Sequence, residues 1–477
     1  MPSSSPWRMR HPRCLGSARA RTSSALQPAR VAGIAVVLLS VSIGAPARAR
    51  AQPPQAVPGQ TIPPATEPAA LTLDSVYALV ASRSPRARAA AALAEAARSR
   101  VPGAGLPPDP ELQLGFMNYA LPELRPDETL GMTQLQLMQM VPLPGKLGAA
   151  GRGARARAEA AGARAVDARW EARAAAAAAF YERYEAEGGA AIAGETRRLL
   201  EDVSGIAGAM YRVGEGRQAD VLRARVEIAR MDEEVVRMGA MREGAVARLA
   251  AALDVPADSV AGAPVLPHFP DTVPPREWLE RLALEARPML AAAAADVRAA
   301  AADAALARRE LWPDLQVGVQ YGQRRMETGV DRMGSLMLGA TVPVFARSRQ
   351  LRMRDETTAM RSMAEAELGA MRADTRGRIA EVHAALTSAR RLAALYRTTV
   401  LPQAEAATAS ALASYRVGGV DFMTVVDNRM SVNRYRQELL ALDASEGRAW
   451  AELEMLVGRP LLATAAGVTD RTAGGGR

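Results

Sequence analysis

Thiols, amines and imidazoles are almost missing from this chain. Its 477 residues hold one cysteine, Cys14, one lysine, Lys146, and three histidines. Cys14 lies in the N-terminal leader, so the rest has no disulfide, no thiol nucleophile and no cysteine for a lipid anchor. The two later histidines, His268 and His383, are far apart. No pair has ligand spacing, so no metal site and no cofactor are expected. A phosphate-cradling glycine loop and a nucleophile elbow are absent too, which makes an enzyme the weakest reading. Aromatics reach only 4% while alanine is abundant, a balance that favours closely packed helices over a bulky core.

Acids are missing from residues 1–51, which carry eight arginines. Without that segment the formal charge of +9 falls to +1, so the basic balance makes no case for nucleic acid. An apolar run from Val31 to Ala47 and a small-x-small site at Ala49, Arg50 and Ala51 read as a signal peptide cleaved before Gln52. Its length suggests that translation begins at Met9. A retained anchor is the competing reading, but the run falls short of the roughly 20 residues a spanning helix needs. Past the leader, no segment resembles a membrane-spanning helix.

What is present is a duplication. Pro85 recurs as Pro288 and Pro110 as Pro313, each 203 residues on, and Pro142 recurs as Pro343 after 201. Tyr211, Arg212, Val213 and Gly214 recur 204 residues later as Tyr415, Arg416, Val417 and Gly418. Spacing this constant points to one structural unit written twice. The expected order is a signal peptide at 1–51, an extended linker at 52–70, and a first repeat at 71–270. A second repeat at 271–461 and a tail at 462–477 follow.

Each repeat has the same grammar. A helix, from Leu71 to about Arg100 in the first copy with Thr72 or Asp74 as cap, precedes two short strands. The strands fall near 111–118 and 130–141, then near 314–322 and 334–342. The first two are joined by a loop through Pro122 and Pro126. Leu315, Val317, Val319 and Tyr321 alternate with Gln316, Gly318, Gln320 and Gly322, the period-2 pattern of a two-faced strand. Long helical hairpins follow, near 145–252 and 345–457. Their first arms would reach about 100 Å if continuous. Gly188, Gly189 and Pro402 are candidate interruptions. The return helices share a heptad seam, Val221, Ala224, Ile228, Met231 and Val235 onward, matched by Val425, Asn428, Val432 and Tyr435 onward.

Four strands are too few to close a barrel, and open edges are not tolerated in lipid. If the strands enter a membrane, identical chains must pool them. Three chains would give about twelve strands, with Gln/Gly faces toward water and apolar faces toward lipid.

The duplicated strand–strand–hairpin unit, the signal peptide and the runs YRVGEG at 211–216 and YRVGGVDFMTVVD at 415–427 resemble the TolC-like outer membrane efflux proteins. The resemblance covers about residues 71–461. It implies a mainly α-helical chain with a membrane β-barrel: a homotrimer whose coiled-coil hairpins form an α-barrel below a twelve-stranded barrel. It also implies a place in the outer membrane of a Gram-negative-type cell, extending into the periplasm, and docking through a periplasmic adaptor onto an inner-membrane pump, most often of the RND type. The YRVG turns match the hairpin tips where adaptors dock, and Gly214 and Gly418 suit a helix reversal. Asp427 matches an acidic position at the periplasmic entrance, and a second such position is Thr424 here. Asp220 and Tyr415 match a pair that holds the entrance shut. The plain reading of each is a solvated helix-start acid or a packing tyrosine. The run VPLPGK at 141–146, with Pro142, Pro144, Gly145 and the later Pro343, resembles the strand-to-helix junction of heavy-metal-type members (CusC- and CzcC-like).

The 21 methionines include Met132, Met138, Met140, Met333 and Met337 near the strands. Thioethers can bind Cu(I), but adaptable packing is the commoner role. Two rivals to a duct remain, a periplasmic adaptor and a coiled-coil scaffold of an export system. The first usually has one hairpin and barrel-like β domains, and the second leaves the alternating strands unexplained.

Overall fold

The computed structural model describes residues 70–120, 125–126, 131–326 and 329–462. The signal peptide, the linker apart from residue 70, Pro122, and the tail beyond 462 lie outside the described residues.

In the first repeat Leu71–Thr72 (β1) leads into Leu73–Arg83 (α1), Pro85–Ser99 (α2) and one turn, Val101–Ala104 (α3). Strand Glu111–Met117 (β2) is followed by a short ribbon, Tyr119–Ala120 (β3) with Arg125–Pro126 (β4), and by Met132–Val141 (β5). The hairpin is Lys146–Arg212 (α4) and Gln218–Leu253 (α5). Pro264–Val265 (β6) pairs in parallel with β1 and opens the second repeat. There follow Arg276–Ala286 (α6), Pro288–Arg309 (α7), Asp314–Met326 (β7) and Gly329–Thr341 (β8). The second hairpin is Gln350–Leu395 (α8), a π turn at Tyr396–Val400, Leu401–Arg416 (α9) and Phe422–Val457 (α10).

Proline sets the breaks in both copies. The first helix does not run unbroken to Arg100. It stops at Ser84, because Pro85 forces the preceding residue out of the helical region (φ −51°, ψ 118°). Arg287 before Pro288 does the same (φ −62°, ψ 120°). Thr72 caps α1 by accepting from the Ser75 amide at 3.3 Å.

Glycine does not break α4. The helix continues through Gly188 and Gly189 for 67 residues, about 100 Å. A Cβ on Gly188 would lie 2.7 Å from Leu440 Cδ1, and one on Gly189 would lie 2.9 Å from Met238 Sδ. These glycines admit neighbouring side chains to the helix surface. Pro402 does perturb the second arm: it has no N–H for the preceding turn, and a five-residue π turn directly before it absorbs the mismatch. The first copy has Arg198 at the matching position and stays regular.

The four main strands form one antiparallel sheet in the order β2-β5-β7-β8. The two repeats join at its centre, where β5 and β7 pair from Met132↔Arg324 to Val141↔Leu315. β7 and β8 run 13 residues each, beyond the alternating segments visible in sequence. Register places Leu112, Leu137, Val319 and Leu336 in one cross-strand row on one face, all exposed. The row beside it on the opposite face is Gln113, Gln136, Gln320 and Ser335.

The main core sits where the hairpins meet α1 and α6. Trp450, Tyr181, Phe180, Leu249, Ile379 and Leu386 are essentially fully buried there. Glu454, also buried, accepts the Leu461 and Leu462 amides at 2.8 and 2.9 Å and pairs with Arg173 at 3.2 Å. The Arg173 guanidinium in turn covers the Tyr77 ring at 3.5 Å, so one carboxylate joins the end of the second repeat to helices of the first. In the return helices Ala224, Met231, Ala245 and Leu249, and Val425, Val432, Ala449 and Leu453, are buried, whereas Val235 of the expected seam is exposed. A second core, with Val203, Ala207, Ala224, Ala411 and Val425, lies near the hairpin tips.

Candidate functional site: two hairpin tips and a strand-to-helix junction

The tips are built alike by backbone chemistry. After α4, Gly214 takes φ +79°, and the Glu215 and Gly216 amides donate to Met210 O at 2.9 and 3.0 Å. After α9, Gly418 takes φ +74°, and the Gly419 amide donates to Ser414 O at 2.8 Å. Positive φ lets each chain reverse while the last carbonyls keep partners. Tyr211, Arg212, Val213, Arg416 and Val417 are exposed, with Val213 at 71% and Val417 at 82%.

The copies diverge at their tyrosines. Tyr415 is buried and meets Phe422 edge-on at 5.6 Å, while Tyr211 is exposed and has Gln218 where the second copy has Phe422. An aromatic partner recruits one ring into the core, and an amide does not. Tyr415 also borders a cleft of about 340 Å³ between the two tips, lined by Met210, Glu215, Asp220, Asp421 and Phe422. Burial, then the Asp220 and Asp421 carboxylates, push the Tyr415 phenol pKa up. The structure thus brings Asp220 and Tyr415 together. Thr424 and Asp427 lie further along α10, both exposed and outside that cleft. Among the described residues Asp427 joins no ion pair, and its carbonyl accepts the Ser431 hydroxyl at 2.8 Å.

The other expected cluster bolts sheet to hairpins. Pro142 and Pro144 end β5, and Gly145 turns at φ +94° into α4. Arg309 donates to the Gly145 carbonyl, so a side chain at 145 would meet its guanidinium. The lone lysine is buried here. Lys146 Nζ donates to Asp314 Oδ1 at 2.7 Å and to the Trp312 carbonyl at 2.9 Å, tying the first copy's junction to the start of β7. Sequence reasoning singled out Lys146 only for its rarity, since its partners lie 166 and 168 residues away. Pro343 closes the equivalent turn by accepting the Ala346 amide at 3.1 Å, with no positive-φ glycine. Lys146→Met, by stranding Asp314, is expected to cost about 3 kcal/mol, seen as an earlier unfolding midpoint in detergent. An unchanged midpoint would show that the bolt contributes nothing.

His383 Nε2 lies 3.2 Å from the Pro274 carbonyl, and His268 is exposed elsewhere. Among the described residues no group of three or more His, Cys, Asp or Glu is placed to hold a metal ion, and no helix is long and apolar enough to cross a membrane.

The comparisons agree with this architecture. Residues 279–459 match the family profile of the outer membrane efflux proteins. The chain superposes on the outer-membrane channel OprN with a TM-score of 0.71 at 19% identity, covering 81% of this chain and 89% of that one. For CusC, described in terms of transmembrane channel formation, the score is 0.68 at 16% identity, covering 84% and 95%. For the outer membrane protein VceC of Vibrio cholerae it is 0.69 at 20% identity, covering 81% and 96%. No curated protein sequence matches the chain. The second repeat thus carries the outer membrane efflux protein profile, and the duplicated chain shares its fold with OprN, CusC and VceC.

Proposed function

We propose that three copies of this chain form a duct carrying material across the periplasm and the outer membrane, fed by an inner-membrane pump, of the RND type, through a periplasmic adaptor. The observation that carries this reading is a sheet in which, among the described residues, β2 and β8 stand at the two ends of the strand order and one face is apolar and exposed. On β2, Leu112 and Leu114 are 66% and 61% exposed, and on β8, Leu336 and Leu338 are 68% and 76% exposed. Such a face belongs against lipid, where strand edges must be paired. Three sheets placed edge to edge pair every edge and turn the Gln/Gly face toward a water-filled interior. β7 and β8, at about 43 Å each, are long enough to cross a hydrocarbon core of about 30 Å when tilted by about 45°.

The YRVG tips would face the adaptor at the periplasmic entrance. The resemblance of VPLPGK at 141–146 to heavy-metal-type members makes heavy-metal cations the cargo class to try first. The direct test purifies the secreted protein in detergent and measures both its mass and its conductance in planar bilayers. A heat-dissociable trimer that forms channels is expected. A monomer without channels would end the duct reading and favour the adaptor or scaffold.

In the trimer Asp427 would appear three times around the entrance. Asp427→Asn is therefore expected to lower cation-over-anion preference about five-fold, the equivalent of about 1 kcal/mol of charge–ion attraction in water. Reversal potentials under a salt gradient measure it. A preference equal to the parent's removes Asp427 from the entrance.

A further inference from the structure

Every methionine on the four-stranded sheet lies on its polar face. Register places one on β2, three on β5, one on β7 and two on β8 on the side that carries Gln113, Gln134, Gln136, Gln316 and Gln320, and none on the side of Leu112, Leu137, Val319 and Leu336. Packing alone does not explain this partition. A side chain chosen only for apolar bulk would gain about 1.5–3 kcal/mol from burial against lipid, and the polar face forgoes that. What methionine brings to a wet face, and leucine does not, is a soft thioether ligand.

One row is built for it. Glu111, Met138, Gly318 and Met337 stand side by side across β2, β5, β7 and β8. A Cβ on Gly318 would lie 3.2 Å from Met138 Cγ and 3.4 Å from Met337 Cε, so both thioether arms lean over the glycine from opposite sides. They border a hollow of about 500 Å³ that Gln136 and Gln316 also line. The neighbouring Gly322 is covered in the same way by Met132, whose Sδ would be 3.4 Å from a Cβ there.

We propose that this methionine lane is a transit site for a soft monovalent cation, silver(I) or copper(I), held between the Met138 and Met337 thioethers with the Glu111 carboxylate at the end of the row. The site rests on the duct reading, in which this face lines the channel. It narrows the cargo class to cations that prefer sulfur, and the ion passes without a change of oxidation state. Amides and thioethers hold such an ion weakly enough to release it, as a conduit requires.

Silver nitrate in chloride-free buffer is the probe, added to the secreted protein, in which cleavage before Gln52 removes Cys14 and leaves only thioether sulfur. Titration calorimetry should show saturable binding, and X-ray absorption should place sulfur in the first shell. Met138→Leu with Met337→Leu, which keeps side-chain volume, should weaken binding at least ten-fold. The control Met353→Leu with Met360→Leu, on exposed positions of α8, should not. A first shell without sulfur, or equal affinities in the two double variants, overturns the proposal. Sodium conductance of the same preparations separates the two readings. Channels that conduct but bind no silver through sulfur refute the lane alone, whereas the lack of any channel refutes the duct.

Discussion

Replacing Gly447 with valine is expected to remove the folded protein from the outer membrane. Gly447 is buried in α10, and a Cβ there would overlap the ring of Tyr181 on α4. Tyr181 has no exposed surface to retreat into. It stands edge-on to Phe180 at 5.3 Å and against Phe269 at 6.4 Å, within the core that joins the two hairpins. Overpacking by single methylenes costs about 1–3 kcal/mol, and valine adds three carbons where none fits. Stability margins of about 5–15 kcal/mol leave little room for such a loss in every copy. The measurement is the amount of the proposed trimer in outer-membrane fractions, together with the unfolding midpoint of any protein recovered. Adding Tyr181→Leu should restore part of the loss, because the clash is pairwise. A midpoint within about 1 °C of the parent, about 1 kcal/mol for a chain of this size, would mean that the helices separate easily and that the close approach is incidental.

That contact was invisible in the sequence, and the reason is general to this chain. Features that depend on neighbours along the chain could be read directly. Alternation exposed the strand cores, and tolerance of positive φ explained Gly214 and Gly418 at the reversals. Features set by another segment were not legible. Gly188 and Gly189 look like a hinge in isolation, yet Leu440 and Met238 make them a seat for side chains. The outer turns of β7 and β8, with Gln323, Arg324 and Arg332, lost the alternating signal. They remain hydrogen-bonded because a ladder uses backbone groups whatever the side chains. The candidate site divides in the same way. The two tips were recognisable from repeated residues, but the difference between Tyr415 and Tyr211 turns on Phe422 replacing Gln218 across a turn. Lys146 stood out by rarity, while Asp314, the residue that gives it a role, sits at the start of a strand in the other repeat.

Divergence between the tips frames the second large effect. Gly214→Val combined with Gly418→Val is expected to abolish the proposed export while leaving insertion and the proposed trimer near parental levels. Both glycines sit at positive φ, where a β-branched residue is strained by about 1–2 kcal/mol, and nothing lies within 4 Å of either missing Cβ. The penalty therefore falls on the turn itself and not on packing behind it. The main core is formed by other residues, so the body of the hairpins has no reason to unfold. What changes is the placement of the exposed Val213 and Val417, the surface proposed to meet the adaptor. Because the second tip is anchored by Tyr415 and Phe422 and the first is not, Gly214→Val alone should disturb its tip more widely than Gly418→Val alone. Cells lacking the native duct and supplied with each variant give the readout, as survival in the presence of cargo alongside the amount of trimer. Export at least ten-fold below the parent with normal trimer places docking at the tips. Parental export in the double variant would move the adaptor contact elsewhere on the hairpins, and loss of trimer in step with export would show that the turns serve folding instead.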